Sequence, residues 1–259
     1  MTGLQTLIGN ACQEVGAFRA DIVYLYTDFR YFGRYLSEFE SRDGFCGAFA
    51  LPFLEREKTV VLTTFTYTTE GRFDVLKTPT TTGAMNKWIL TQPGASRSEH
   101  PLFSYAALGP QARLMENVGK SAFGRDSIND RLRGRRAAFL HIGRPVALGN
   151  SAIHYIEQAC GATYRVHKAF HTAVYRGDNY IGTDYTAFVR RRDVPNETFA
   201  FDFSRAAPIL FERGLISQVG SPEQLSNVSF YWFDDALECL ADSFYKDPRL
   251  FIGSDFLQY

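Results

Sequence analysis

Three short apolar runs constrain this chain more than anything else in it. Ala20 to Leu25 (A-D-I-V-Y-L), Lys58 to Thr66 (K-T-V-V-L-T-T-F-T) and Ala137 to Ile142 (A-A-F-L-H-I) are rich in β-branched and aromatic residues. They read as buried strands, with cores at Ile22 to Leu25, Val60 to Thr64 and Ala138 to Ile142. Helical spacing lies before and between them. Leu4, Leu7, Ile8, Ala11, Cys12 and Val15 share one face, and Gly16 follows as a stop. Residues 44 to 57 give a second helix whose start is blurred by Gly44, Gly47 and Pro52, and Gly83 to Gln92 holds a third. Strands alternating with helices specify an α/β domain, and such domains build their sites at strand ends.

The remaining segments are expected to decorate this frame. Tyr67 to Thr82 is Thr-, Gly- and Pro-rich without apolar period and reads as a long loop. Gln111 to Val118 and Ile128 to Leu132 are short helices, the second opened by Asp126-Ser127, and five arginines between Arg125 and Arg136 read as a solvated face. Lys168 to Tyr175 and Tyr180 to Val189 form an antiparallel pair turned at R-G-D-N. Residues 199 to 217 and 227 to 242 close the chain as helix, linker and helix. The expectation is a single domain over residues 1 to 259, with a smaller lobe made from inserted segments.

Charge and cysteine usage exclude several classes. With 28 basic and 28 acidic residues among 259, the totals announce no nucleic-acid footprint. Cys12, Cys46, Cys160 and Cys239 are widely spaced singletons, which argues against a zinc site and a disulfide framework and for a reduced, cytoplasmic setting. No export signal or run of eighteen apolar residues is found, so no membrane partner is expected. A homodimer is compatible with the sequence.

Chemistry concentrates in Leu148 to Arg165 (L-G-N-S-A-I-H-Y-I-E-Q-A-C-G-A-T-Y-R). Gly149-Asn150 breaks the preceding segment, Ser151 is suited to cap a helix, and Ile153, Ile156 and Ala159 supply its apolar face. His154 then sits in the first turn, where the positive helix end disfavours an imidazolium and leaves a base. Glu157 follows at i+3 on the same face. Cys160 points elsewhere and belongs to the core. Alone, the stretch also reads as a first-turn histidine beside a surface glutamate.

Two further stretches remove that ambiguity. P-G-A-S-R-S-E-H-P-L-F-S at 93 to 104 places Arg97, Ser98, His100 and Ser104 on extended backbone, since Pro101 forces His100 out of the helical region. F-G-R-D-S spans 123 to 127. Together with S-A-I-H-Y-I-E…Y-R at 151 to 165, these resemble the aminoglycoside 3-N-acetyltransferase family, with its R-S-x-H-P-x-x-S, G-x-x-S-P and T-x-L-H-x-x-E motifs. The late F-Y-W-F-D-D-A at 230 to 236 is similar to the start of that family's final helix. The resemblance implies a mixed central β-sheet flanked by helices, distinct from the GNAT acetyltransferase fold. It also implies transfer of an acyl group from acetyl-CoA or a longer acyl-CoA to an amine. His154 is then the base and Glu157 its orienter or the amine's holder. Arg97, Ser98, His100, Ser104 and Thr27 fall to the cofactor, and Asp28, Ser127, Tyr164 and Arg165 to the substrate. The activated thioester requires no covalent enzyme intermediate.

Departures from the pattern fall where substrates would enter. The family's H-x-S-L after the first strand is here Tyr26-Thr27-Asp28-Phe29, and its S-P after the glycine loop is Ser127-Ile128. Over residues 175 to 202, Arg176, Arg190, Arg191 and Arg192 answer Asp178, Asp184, Asp193 and Glu197. A polycationic antibiotic wants a carboxylate-rich cleft. The charge balance therefore favours an amino sugar carried on a nucleotide, as in surface-glycan biosynthesis, over an aminoglycoside. A binding protein that kept the fold and lost the chemistry is the third reading, and the joint presence of Arg97, Ser98, His100, His154 and Glu157 weighs against it.

Overall fold

A computed structural model describes residues 2–191, 201–220 and 227–253 of the chain. In chain order, α1 is Gly3–Glu14, β1 Ile22–Thr27, α2 Arg42–Leu54, β2 Thr59–Thr63, β3 Arg72–Asp74, α3 Ala84–Ile89, β4 Ser96–Arg97, β5 Tyr105–Leu108, α4 Ile128–Leu132 and β6 Ala137–Ile142. After it come α5 Ile153–Ala159, β7 Arg165–Phe170, β8 Ala173–Arg176, β9 Asn179–Gly182, β10 Tyr185–Arg190, α6 Ala206–Glu212, β11 Ser217–Val219, β12 Val228–Trp232 and α7 Phe233–Lys246.

The three runs that constrain the sequence form the centre of a seven-stranded sheet of order β11-β12-β6-β1-β2-β5-β4. β6, β1 and β2 are parallel, and the flanking pairs are antiparallel, so the sheet is mixed. Period-2 alternation sends neighbouring residues of β1 to opposite faces. Val23 and Leu25 pack with α1, α2 and α3, through Leu4, Ile8, Phe49, Phe53, Trp88 and Ile89. Ile22 and Tyr24 pack with α4, α5, α6 and α7, through Ile128, Ile153, Leu210 and Leu240. Both faces of the central strands are buried, which is why these strands read as continuous apolar runs.

The helix that the sequence left blurred is firm. Ser41 accepts from the Gly44 amide as its N-cap, and Gly47 faces the Trp88 indole, with which an added Cβ would make an ordinary contact at 3.5 Å. The R-G-D-N turn forms as expected between β8 and β9, with Gly177 at φ 64°. Two expectations change. The segment read as a loop holds β3, which pairs with β8 in a small three-stranded sheet, while β7 pairs with β10 in a two-stranded one. The region read as helix, linker and helix also contains β11 and β12, and β12 inserts next to β6. Among the described residues, no helix is long and apolar enough to cross a membrane.

Candidate active site

β6 ends at Ile142, and the chain returns over the sheet end through Arg144 to the short helix α5. Arg144 staples this return by donating to the carbonyls of Leu148 and Gly149 at 2.8 and 2.6 Å. Asn150 accepts from the Ala152 amide at 3.0 Å and serves the turn ahead of the helix. Ser151 is therefore not the cap that its position suggested. Its hydroxyl meets three tyrosine hydroxyls instead, Tyr24 at 2.8 Å, Tyr105 at 3.3 Å and Tyr26 at 3.4 Å. The N-cap falls one residue later, at Ala152, and the helix begins at Ile153 without a side-chain cap.

His154 and Glu157 share a face of α5, as the i+3 spacing requires. Nδ1 of His154 lies 2.6 Å from Oε2 of Glu157, and the glutamate is 1% exposed. A carboxylate only accepts, so the contact places the hydrogen on Nδ1 and leaves Nε2 as the lone-pair nitrogen. Tyr164 donates to the other oxygen, Oε1, at 2.8 Å, and Arg165 ion-pairs with Oε2 through Nε at 2.8 Å. Burial pushes the His154 pKa below its ordinary value; Glu157 opposes this, while Arg165 and Arg190 reinforce it. The sequence argument reached the same direction through the helix end, but burial is the larger cause. For Glu157, burial favours the neutral acid, yet His154, Arg165 and Tyr164 outweigh it and hold the carboxyl below its ordinary range. The result is a neutral, oriented imidazole, 21% exposed, able to take a proton at Nε2.

Aromatic rings wall the imidazole. Phe123 meets it edge-on at 5.1 Å and Phe201 at 6.0 Å between centroids. From Phe123 the contacts continue to Phe103 at 5.0 Å and then to exposed Tyr67 at 5.7 Å, a continuous apolar wall from the surface to the base.

The other sequence-predicted residues fall in four places. Tyr164 and Arg165 are buried, turned onto Glu157. Arg97, Ser98, His100 and Ser104 are all buried beneath the aromatic wall and bonded inward. Arg97 donates to the carbonyls of Thr64 and Thr78 at 2.8 and 2.5 Å and to Ser104 Oγ at 3.2 Å, and burial lowers its pKa to about 10. Ser104 donates to Thr64 O at 2.6 Å, and Ser98 Oγ accepts from the Tyr105 amide at 2.8 Å. His100 bonds Thr186 O through Nε2 at 3.0 Å. Thr27 and Asp28 lie at the end of β1, where the Asp28 carboxylate closes on Arg30 and accepts from its amide at 3.0 Å. Ser127 caps α4, as expected, and Asp130 of that helix accepts from Tyr155 of α5 at 2.9 Å. Arg131 is not a solvated arginine: it donates to Leu114, Glu116 and Asn117 carbonyls and pairs with Asp126. Arg192, Asp193 and Glu197 lie outside the described residues.

Sequence reasoning missed the second polar layer, in which His141 of β6 meets the Tyr231 hydroxyl at 3.0 Å and Asn150 donates to that hydroxyl at 3.1 Å. Its members come from β6, β12 and the turn before α5, so no local pattern announces them. A groove of about 450 Å³ between α1 and α2, lined by Gln5, Asn10, Gln13, Glu55 and Arg56, lies across the sheet from His154. It lacks a comparable acid–base pair, so chemistry and not concavity locates the site.

A family model for aminoglycoside 3-N-acetyltransferase matches residues 56–222, more than half of the chain and inclusive of every motif around His154. The chain belongs to the aminoglycoside 3-N-acetyltransferase family. Solved acetyltransferases of this family share the fold at low identity. The apoenzyme of AAC(3)-IVa superposes with a TM-score of 0.72 at 18% identity, covering 98% of this chain and 93% of that one. AAC(3)-Xa gives 0.76 at 16%, covering 93% and 92%. AAC-VIa bound to sisomicin gives 0.73 at 17%, covering 96% and 99%. No curated protein sequence matches the chain at a significant level. The mixed sheet flanked by helices is thus the architecture of aminoglycoside 3-N-acetyltransferases, and the expectation of a fold other than GNAT holds.

Proposed function

We infer that this chain transfers the acetyl group of acetyl-CoA to an amine of an amino sugar, with aminoglycosides as the leading acceptors. The observation that carries this reading is the His154–Glu157 pair, with Nδ1 committed at 2.6 Å, which leaves Nε2 as the lone-pair nitrogen of a ring walled by Phe123 and Phe201. Nε2 takes the proton that the acceptor nitrogen sheds as it bonds to the acetyl carbon. The same nitrogen returns that proton to the departing sulfur. Glu157 stabilises the imidazolium between those two events without itself becoming protonated. Acetyl-CoA, when bound, supplies an already activated thioester, so no nucleophilic side chain is required. The apolar wall from Tyr67 through Phe103 to Phe123 suits a long, weakly polar pantetheine arm, while Arg97, Ser98, His100 and Ser104 hold that wall from behind.

Family membership ranks the acceptors. The neighbours include complexes with sisomicin, a gentamicin and apramycin, which puts aminoglycosides ahead of the nucleotide-linked amino sugar favoured by charge balance alone. A local observation keeps the latter as second reading. Arg190 adds positive charge near His154, and Asp28 is already closed on Arg30, surroundings that favour an acceptor bearing a negative group. Thiol release from acetyl-CoA, measured against aminoglycosides and nucleotide-linked amino sugars side by side, tests both. Turnover on aminoglycosides supports the first reading, turnover on nucleotide sugars alone reverses the ranking, and no thiol release with any amine and any acyl-CoA length removes the enzyme reading.

A further inference from the structure

Arg165 opens β7 with its side chain only 7% exposed, and the guanidinium spans three elements. Nε sits 2.8 Å from Glu157 Oε2, one terminal nitrogen donates to the Phe188 carbonyl on β10 at 2.9 Å, and the other lies 3.0 Å from His154 Nδ1. The last contact is the informative one. Nδ1 gives its hydrogen to Glu157, so at that nitrogen the guanidinium meets a donor, not an acceptor. A cation 3.0 Å from an imidazole that cannot accept from it opposes any second proton on the ring. A planar fork fixed on a β-strand carbonyl also keeps its charge against the carboxylate, as an ion pair and not a hydrogen bond at Nε, which a flexible ammonium does less well.

Resting on the reading of His154 as the base, we propose that Arg165 is a positioning residue. It fixes Glu157 against His154 and keeps the imidazole neutral, so that Nε2 is ready to accept a proton near pH 7. The groups facing His154 are consistent with this division of labour. Glu157 on α5 is the anion that favours the imidazolium, Arg165 on β7 and Arg190 on β10 are cations that oppose it, the Tyr164 hydroxyl engages the far oxygen of Glu157, and Phe123 and Phe201 are apolar. Without Arg165, Glu157 acts on the ring unneutralised. The sign follows: the imidazolium is stabilised and the ring titrates at higher pH. A residue that bound substrate instead would leave the titration alone.

The test is an NMR titration of the His154 imidazole, assigned by the signal lost in His154→Gln, in the native chain and in Arg165→Met and Arg165→Lys. In Arg165→Met the midpoint moves up, and turnover near neutral pH falls by about tenfold to a hundredfold. The acid limb of the pH–kcat/KM profile moves with the midpoint, and KM for acetyl-CoA is unchanged. Arg165→Lys keeps a charge but not the fork, so its midpoint moves in the same direction by less. An unshifted midpoint in a folded Arg165→Met, or a raised acceptor KM with the titration untouched, overturns the proposal. Should Arg165→Met not fold, an unshifted midpoint in Arg165→Lys overturns it equally. Because the titration needs neither donor nor acceptor, it gives its answer even if acetyl transfer to sugars fails.

Discussion

Acidification from pH 7 to pH 5 removes about 2 kcal/mol of folding stability through His100 alone. His100 is 2% exposed, its Nδ1 accepts from the amides of Leu102 and Phe103 at 3.3 and 3.2 Å, and its Nε2–H donates to Thr186 O at 3.0 Å. Protonating Nδ1 would bury a charge and turn an acceptor into a third donor facing two N–H groups. Burial accordingly lowers its pKa to about 4, from an ordinary 6.5. The unfolded chain therefore takes up this proton as the pH falls through 6.5, while the folded chain does so only near 4. In that window the unfolded state binds more protons, so stability falls with pH. The whole loss is about 3 kcal/mol, and about 2 kcal/mol of it has occurred by pH 5. Against the roughly 5–15 kcal/mol typical of a folded domain, that is a large share.

Urea unfolding followed through the fluorescence of Trp88 and Trp232, at pH 8, 7, 6 and 5, measures the slope. His141, buried and held well below the ordinary histidine range, contributes in the same direction, so a variant is needed to isolate His100. His100→Asn keeps an oxygen acceptor for the two amides, loses the Thr186 bond and cannot titrate. It is less stable than the native chain at pH 8 by about 1–3 kcal/mol, but its loss between pH 7 and pH 5 is smaller by about 2 kcal/mol. Parallel slopes for the two proteins would refute the reasoning.

Three further outcomes are expected. His154→Gln lowers turnover by about a hundredfold to ten-thousandfold, with acetyl-CoA binding by calorimetry nearly unchanged; full activity would end the role of His154 as base. Tyr164→Phe deletes one bond to the buried Glu157 carboxylate and costs about 1.5–3 kcal/mol in urea unfolding, while turnover falls less than in the His154 variant because the contacts at Oε2 remain. Gly149→Ala places a Cβ 2.7 Å from the Phe201 ring and 2.8 Å from Phe203, at φ 66° and ψ −173°, which costs about 1–3 kcal/mol or more in thermal unfolding and displaces the ring that walls His154.

The frame was legible because its signals are local. Runs buried on both faces, such as Val60 to Leu62 in β2, announce strands whatever their neighbours, and the i+3 spacing of His154 and Glu157 fixes a shared face once a helix is granted. Short strands that borrow their stability from a partner were not legible. β3 has three residues and forms because β8 passes beside it, β12 is held by the edge of β6, and β11 is held in turn by β12. No periodicity over three to five residues separates such a strand from a loop.

The same distinction explains the site. Ser151 has the right residue type and position for a helix cap, yet three tyrosine hydroxyls from β1 and β5 reach it, so the turn is stabilised by Asn150 and the serine joins a network reaching across the sheet end. The family resemblance also assigned Arg97 to the cofactor and Arg165 to the substrate. In the structure Arg97 donates to carbonyl oxygens, and Arg165 donates to a carbonyl and lies in an ion pair with the Glu157 carboxylate. A guanidinium can distribute five donors over such partners, and carbonyls from Thr64, Thr78 and Phe188 become available only when distant segments converge. The base and its carboxylate are thus properties of one helical turn, whereas the surroundings that keep the base neutral are properties of the assembled fold.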